Sequence, residues 1–264
     1  RTVTHGLSFL PDVDPSHQTP GDYYDMLLDL SVLGDEAGLS HVKITEHYLR
    51  AYGGYCPNPL TFLAAVAART QQIRLMTGCL LPVFHHPIAL ASETAMVDAL
   101  SGGRLDVGVA RAYMPYEFDA FGIPLDESRD RFDDTVGTMV RLWQEESVDS
   151  DSRFFSFADA TILPRPVQAP HPPVWVAAVR TEASFVAAGE RGYGLLITPS
   201  LSPLPQMASL VAKYRANFRP AHPGDEARVL ASLPVFVGET DEHALSVGDP
   251  LLAHYLEIWA RSAD

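Results

Sequence analysis

Short runs of apolar, β-branched residues alternate along the chain with longer segments in which apolar positions recur every three to four residues. These are the spacings of buried strands and of amphipathic helices. The pattern predicts strands over 6–10, 41–45, 73–81, 105–110, 174–179, 194–198 and 229–237. It predicts helices over 23–37, 60–70, 88–100, 128–143, 181–191 and 205–218, with a last helical region over 241–262 interrupted by Gly248 and Pro250. Met26, Leu27, Leu30 and Leu33 give the first helix its apolar face, and Gly38 is its stop signal. The rhythm breaks over 145–172, which is polar, aromatic and proline-rich. That stretch reads as an insertion after the fourth helix, with a small hairpin around 154–162.

Strands that are apolar throughout, each followed by a helix, build a parallel sheet covered by helices. Seven of them in one unbroken series favour a closed (β/α)8 TIM barrel, taken as a single domain over 1–264. No GxGxxG follows the first strand, which argues against a dinucleotide-binding fold. No eighth strand is found, so an incomplete eighth strand and helix are expected. A net charge of -14 argues against a duplex-binding role and disfavours an anionic membrane surface. No apolar run reaches the roughly 18–20 residues that a membrane span needs. Two cysteines and no CxxC point to a reducing, cytoplasmic setting.

In such a barrel, chemistry collects at the C-terminal ends of the strands. The second strand runs into Glu46-His47-Tyr48, a carboxylate beside an imidazole and so a candidate for proton transfer. The alternative is a rim histidine held by an ordinary hydrogen bond. His85 and His86 follow the third strand and could join His47 around a metal, but a histidine pair before proline more often shapes a loop, and no metal is assigned. Arg111, with Tyr113 beyond it, ends the fourth strand, and Arg129 follows one short loop later. Thr181 and Ser184 open a helix, where free N–H groups favour an anion. Together these describe a phosphate site; the alternative is plain helix capping and surface arginines. Tyr48, Tyr52 and Tyr55 line either a ring-binding cavity or a packed loop. Asn58 stands between two prolines and could offer its amide to a ligand. Neither cysteine sits in a nucleophile arrangement, and there is no GxSxG.

Four segments in register carry a family resemblance: TEHYLRAYGGYCPNP (45–59), TGCLLPVFHHPIALASETAMVDALSGGRLDVGVARAY (77–113), EFDAFGIPLDESRDRFDD (117–134) and LPRPVQAPHPPVWVAA (163–178). Over about residues 6–245 the chain resembles the bacterial luciferase-like flavin-dependent monooxygenases, especially the branch of natural-product biosynthesis. The resemblance implies reduced FMN (FMNH2) delivered by a separate NAD(P)H-dependent flavin reductase, and O2 as co-substrate. It implies a small organic substrate that is hydroxylated or undergoes Baeyer–Villiger-type insertion, and a homodimer formed through the second and third helices. By the same resemblance, His47 is the active-site histidine with Glu46 beside it. Asn58 and Tyr113 line the pocket, and Arg111, Arg129, Thr181 and Ser184 hold the phosphate. Thr77-Gly78 falls where the family has a non-proline cis peptide against the flavin ring. The chain departs from the family in Ala110 and Ala112, which flank Arg111 where glycines are usual. An F420-dependent hydride-transfer enzyme and a catalytically silent flavin-binding relative are the alternatives.

Overall fold

A computed structural model of the chain describes residues 3–221 and 224–263. Its centre is a seven-stranded, all-parallel sheet in the order β1 (Leu7–Phe9), β2 (His41–Ile44), β3 (Arg74–Leu80), β4 (Leu105–Val109), β7 (Val174–Ala177), β8 (Gly194–Ile197) and β9 (Val229–Ala231). The remaining strands, β5 (Val148–Asp151) and β6 (Ser156–Ala160), form a separate antiparallel hairpin. Six helices run between strands: α1 (Pro20–Glu36), α2 (Pro59–Arg69), α3 (Pro87–Leu100), α5 (Ser128–Gln144), α6 (Glu182–Glu190) and α7 (Leu204–Ala216). A seventh, α4 (Pro115–Phe121), is short, and α8 (Asp241–Ala263) follows the last strand.

The sheet is curled. The ring of His41 on β2 lies 6.5 Å from that of Trp175 on β7, three strands away. A Cβ on Gly108 of β4 would come within 3.0 Å of Leu196 on β8, two strands away. Alternate residues therefore point either inward or to the helices. Val42, Ile44, Leu75, Leu105, Val107, Val109, Val174 and Leu195 face outward and pack with the helices in the main core. Met76, Cys79, Trp175 and Leu196 face inward. The N-terminal end of the interior is plugged by polar groups: the Asp106 carboxylate accepts from Arg74 (Nε, 2.7 Å) and pairs with His41 Nε2 at 3.1 Å. Burial opposes its ionisation, yet these hydrogen bonds and the charge of Arg74 hold its carboxyl below the usual range.

Among the described residues β1 and β9 are the edges of the sheet and do not pair with each other, so the curl is a half-barrel rather than the closed barrel expected. The strand expected over 229–237 is only three residues long. Its partner β8 ends at Ile197, which pairs with Ala231 and leaves the rest of the run without a ladder. Leu233, Val235 and Val237 are accordingly exposed. The last helix is continuous through Pro250 rather than broken there. The hairpin is present but begins earlier than expected, at Val148.

The proline-rich stretch after the hairpin is anchored by one buried carboxylate. Asp98 of α3 accepts from the backbone N–H groups of Val167 (2.9 Å) and Gln168 (3.0 Å) and from the Gln168 side chain (2.7 Å). Removing it leaves buried donors unpaired, each costing about 1–3 kcal/mol. Asp98→Ala is expected to lower unfolding free energy by about 3 kcal/mol or more, read from denaturant titration; a loss below about 1 kcal/mol would show that the anchor is dispensable.

Candidate functional site

The C-terminal ends of β2, β3 and β4 meet around two buried carboxylates. Glu46 is fully buried directly after β2. Its Oε2 accepts from the Leu81 N–H at 2.8 Å, and its Oε1 from His85 Nε2 at 2.7 Å and from the Tyr48 hydroxyl. The carboxylate thus ties the exit of β2 to the exit of β3. Its imidazole partner is His85, not the adjacent His47, because successive side chains leave an extended backbone on opposite sides. Burial disfavours the His85 imidazolium, but Glu46 and the charge of Glu93 outweigh it and hold His85 above its ordinary value of 6.5.

His47 finds its carboxylate elsewhere. Its Nδ1 lies 3.0 Å from Oε1 of Glu117, which also accepts from the Tyr48 N–H at 2.9 Å. Both side chains are buried, and Glu117 Oε2 has no partner among the described residues. Glu117 sits on α4, a helix placed by Pro115 in its first turn and ended by Gly122 in the left-handed conformation (φ 65°). Seven residues are too few for a hydrophobic period, so the stretch 113–127 reads as loop and the sequence does not expose Glu117. A proline followed seven residues later by glycine inside that loop (Pro115 and Gly122) is the one available signal.

The His47 ring lies 5.0 Å from the Tyr52 ring and 6.3 Å from Tyr113. The Tyr113 hydroxyl donates to that of Tyr52 at 3.4 Å. The last helix joins this cluster: the Tyr255 ring lies 6.3 Å from that of Tyr52, and Arg50 Nη1 donates to the Arg261 carbonyl at 3.2 Å. Burial raises the hydroxyl pKa of both Tyr52 and Tyr113. Gly53 makes room for His47. It has φ 69°, and a Cβ there would lie 2.8 Å from His47 Cδ2.

Gly78 and the residues beside it form the floor. The cis peptide is Gly78–Cys79, one bond later than the resemblance placed it. The Gly78 carbonyl accepts from Thr45 Oγ1 (2.7 Å) and from Lys43 Nζ (3.2 Å). A Cβ on Gly78 would overlap Lys43 Cγ at 2.1 Å. Burial depresses the Lys43 pKa and raises the Cys79 thiol to about 12, so this thiol is not a nucleophile. Thr77 faces the sheet: its hydroxyl donates to the Gly108 carbonyl and accepts the Gly108 N–H, both at 2.8 Å. Asn58 is exposed and spends its carbonyl oxygen on the Thr61 N–H at 2.9 Å, as the N-cap of α2. Both side chains therefore do structural work where ligand contacts were expected.

The expected phosphate residues fall on neighbouring elements. Arg111 follows β4 and Thr181 follows β7, two strands paired in the sheet. Arg129 opens α5 and Ser184 lies in the first turn of α6, and those helices are joined by Arg191–Asp133 at 2.9 Å. Arg111 and Arg129 are exposed and make no hydrogen bond or ion pair among the described residues. Thr181 makes no side-chain cap bond; its carbonyl accepts the Ser184 N–H at 2.9 Å. Ala112 occupies φ 61° with its methyl buried against Leu81, Val83 and Phe118. The three histidines do not converge, since His86 caps α3 through the Ile88 N–H at 3.2 Å. Among the described residues no group of three His, Cys, Asp or Glu side chains could hold a metal, and no helix is long and apolar enough to cross a membrane.

Gly53→Ala is expected to cost about 1–2 kcal/mol for the left-handed alanine and to displace the His47 ring, seen as a shifted imidazole resonance; an unmoved resonance would contradict the contact. His85 carries a folded pKa above its unfolded one, so the stability it contributes is complete below about pH 6.5 and is lost as pH rises through the folded value. Denaturation midpoints of the parent chain should therefore fall across that rise relative to His85→Gln; parallel profiles would rule the pair out as a stabilising contact.

Residues 3–262 match the family model described as luciferase-like monooxygenase. The chain is 28% identical over 240 residues to the oxygenase component of the flavin-dependent trigonelline monooxygenase of Acinetobacter baylyi, covering 90% of this chain. It spans 66% of that relative, just under two thirds of its length. Among solved structures, monooxygenase RslO1 from Streptomyces bottropensis superposes with a TM-score of 0.93 at 41% identity, over 99% of this chain and 80% of that one. The oxygenating constituent of 3,6-diketocamphane monooxygenase from Pseudomonas putida, solved with FMN, shares the fold at a TM-score of 0.85 and 22% identity, over 98% and 76%. The half-barrel, the histidine at its mouth and the matched length lead to one conclusion: the chain belongs to the luciferase-like monooxygenase family.

Proposed function

We propose that this chain is the oxygenase of a two-component flavin monooxygenase, using FMNH2 and O2 to oxidise a small organic substrate. The carrying observation is the mouth itself: a buried histidine, whose Nε2 has no hydrogen-bond partner among the described residues, packs against Tyr52 and Tyr113, and Arg111 and Arg129, unpaired among those residues, follow strand β4. The residues fit a flavin mononucleotide. A phosphate needs cations that the protein has not already paired, and Arg111 and Arg129 are such cations. A flat ring needs a floor of small side chains, and Gly78, Ala110 and Ala177 supply one at the strand ends. The FMN-bound relative, whose fold this chain shares, supports the same reading.

When bound, the reduced flavin supplies the electrons that activate O2. The protein's work is to hold, to exclude water and to move protons. Arg111 and Arg129, with the first turn of α6 at Thr181 and Ser184, hold the phosphate. The Tyr52–Tyr113–Tyr255 cluster covers the imidazole and keeps bulk water from it. His47 transfers a proton through Nε2, the nitrogen left open by its bond to Glu117. The complete barrel of the family, its reductase partner and insertion of one oxygen atom into the substrate all belong to this proposal.

Arg111→Ala is expected to weaken FMN binding by about 1.5–3 kcal/mol, the worth of a charge-assisted hydrogen bond, in a fluorescence titration. An unchanged Kd would place the phosphate elsewhere. His47→Ala should leave that Kd within about twofold while lowering product formation roughly a hundredfold or more; full turnover would remove His47 from the chemistry.

A further inference from the structure

A proton-transfer histidine works in one direction only if one ring nitrogen is reserved. The geometry assigns that task to Glu117: we propose that it is a positioning residue that fixes His47 in the Nδ1–H tautomer, so that the lone pair on Nε2 faces the reaction space.

The argument starts from what an ionised carboxylate can do. It accepts hydrogen bonds and donates none. Glu117 Oε1 lies 3.0 Å from His47 Nδ1, and the same oxygen takes the Tyr48 N–H at 2.9 Å. The Tyr48 amide can only donate, which marks that oxygen as an acceptor. A hydrogen bond to it from the ring then requires the proton on Nδ1. Burial makes the choice firm, because neither side chain can exchange its partner for water.

No other carboxylate competes. Glu46, next to His47 in the chain, is filled by His85, Tyr48 and Leu81. The other titratable groups facing the ring are Tyr52 in the loop after β2 and Tyr113 after β4, whose hydroxyls bond to each other, with the Tyr255 ring of α8 packed against Tyr52. The Cys56 carbonyl is occupied by the His47 backbone N–H at 3.3 Å. His47 Nε2 has no hydrogen-bond partner among the described residues. Gly53 leaves space for the ring at its Cδ2 edge, where a Cβ would lie only 2.8 Å away. The Glu117 contact also joins β2 to α4, so the same bond that selects the tautomer sets the ring's direction.

The consequence for turnover rests on the proton-transfer role proposed above; the tautomer does not. The test is a long-range 1H–15N correlation spectrum of the whole chain labelled with 15N-histidine, with His47 assigned by its loss in His47→Ala. At a pH where the ring is neutral, the parent chain is expected to show protonated Nδ1 and bare Nε2. Glu117→Gln keeps an acceptor oxygen and should retain that pattern, whereas Glu117→Leu removes it and should shift His47 to the Nε2–H form preferred by free histidine. Protonated Nε2 in the parent chain, or an unaltered Nδ1–H pattern in a folded Glu117→Leu, overturns the assignment. The parent spectrum decides the matter even where the leucine variant does not fold. In turnover, Glu117→Leu should lower kcat by about tenfold or more with KM and FMN affinity within twofold, while Glu117→Gln, which keeps the tautomer, should stay near the parent. An unchanged kcat in Glu117→Leu beside the expected spectrum would count against the proton-transfer role and leave the tautomer standing.

Discussion

Everything at the mouth of the half-barrel depends on two carboxylates that the protein buries one residue-pair apart in space and seventy-one apart in sequence. A buried carboxylate must be satisfied by donors or it costs several kcal/mol. Glu46 meets that demand with His85, Tyr48 and the Leu81 N–H; Glu117 meets it at Oε1 with His47 and the Tyr48 N–H, while its Oε2 has no partner among the described residues. Tyr48 serves both, through its hydroxyl and its backbone. The exits of β2, β3 and β4 are thereby locked at fixed separations by polar groups rather than by the apolar core beneath. Rigid placement of a reacting group is what such a site needs, because small displacements are costly in rate.

The arrangement separates two roles that lie side by side in the chain. Glu46 belongs to the scaffold, and its neighbour His47 faces the reaction space. On the phosphate side the logic is reversed. Among the described residues Arg111 and Arg129 have no hydrogen-bond or ion-pair partner, in contrast to Arg74, which is held by Asp106, and Arg104, which is held by the carbonyls of Ala67, Thr70 and Ile73 at the end of α2. Ala112 adopts the left-handed backbone normally given to glycine and turns its methyl into an apolar cluster, so the added carbon is spent on packing against Phe118 rather than on narrowing the mouth.

Much of this was legible in the chain. The order of the seven sheet strands follows from apolar runs and turn signals, since both depend on nearest neighbours in sequence. His47, Arg111 and Thr181 drew attention by their places at strand ends, and Arg129 by the short loop that separates it from Arg111. What escaped was set by tertiary contact. Nothing local tells that Glu46 bonds His85 rather than His47, or that Thr77 and Asn58 use their polar atoms within the scaffold. Glu117 was hidden because its seven-residue helix has no period. Tyr255 was hidden because only the fold brings α8 over the mouth. The run ending at Val237 misled because a strand cannot outlast its partner, and β8 stops at Ile197.

The central claim is that this mouth binds reduced FMN and directs its reaction with oxygen. The most direct measurement is an anaerobic titration of the whole chain with FMNH2 and, in parallel, with reduced F420, followed by admission of O2. Saturable binding of FMNH2 in preference to F420, with oxygen consumption whose rate changes in His47→Ala, is the predicted result. Tight binding of F420 with no oxygen consumed would instead assign hydride transfer to the site, and binding of neither would contradict the account.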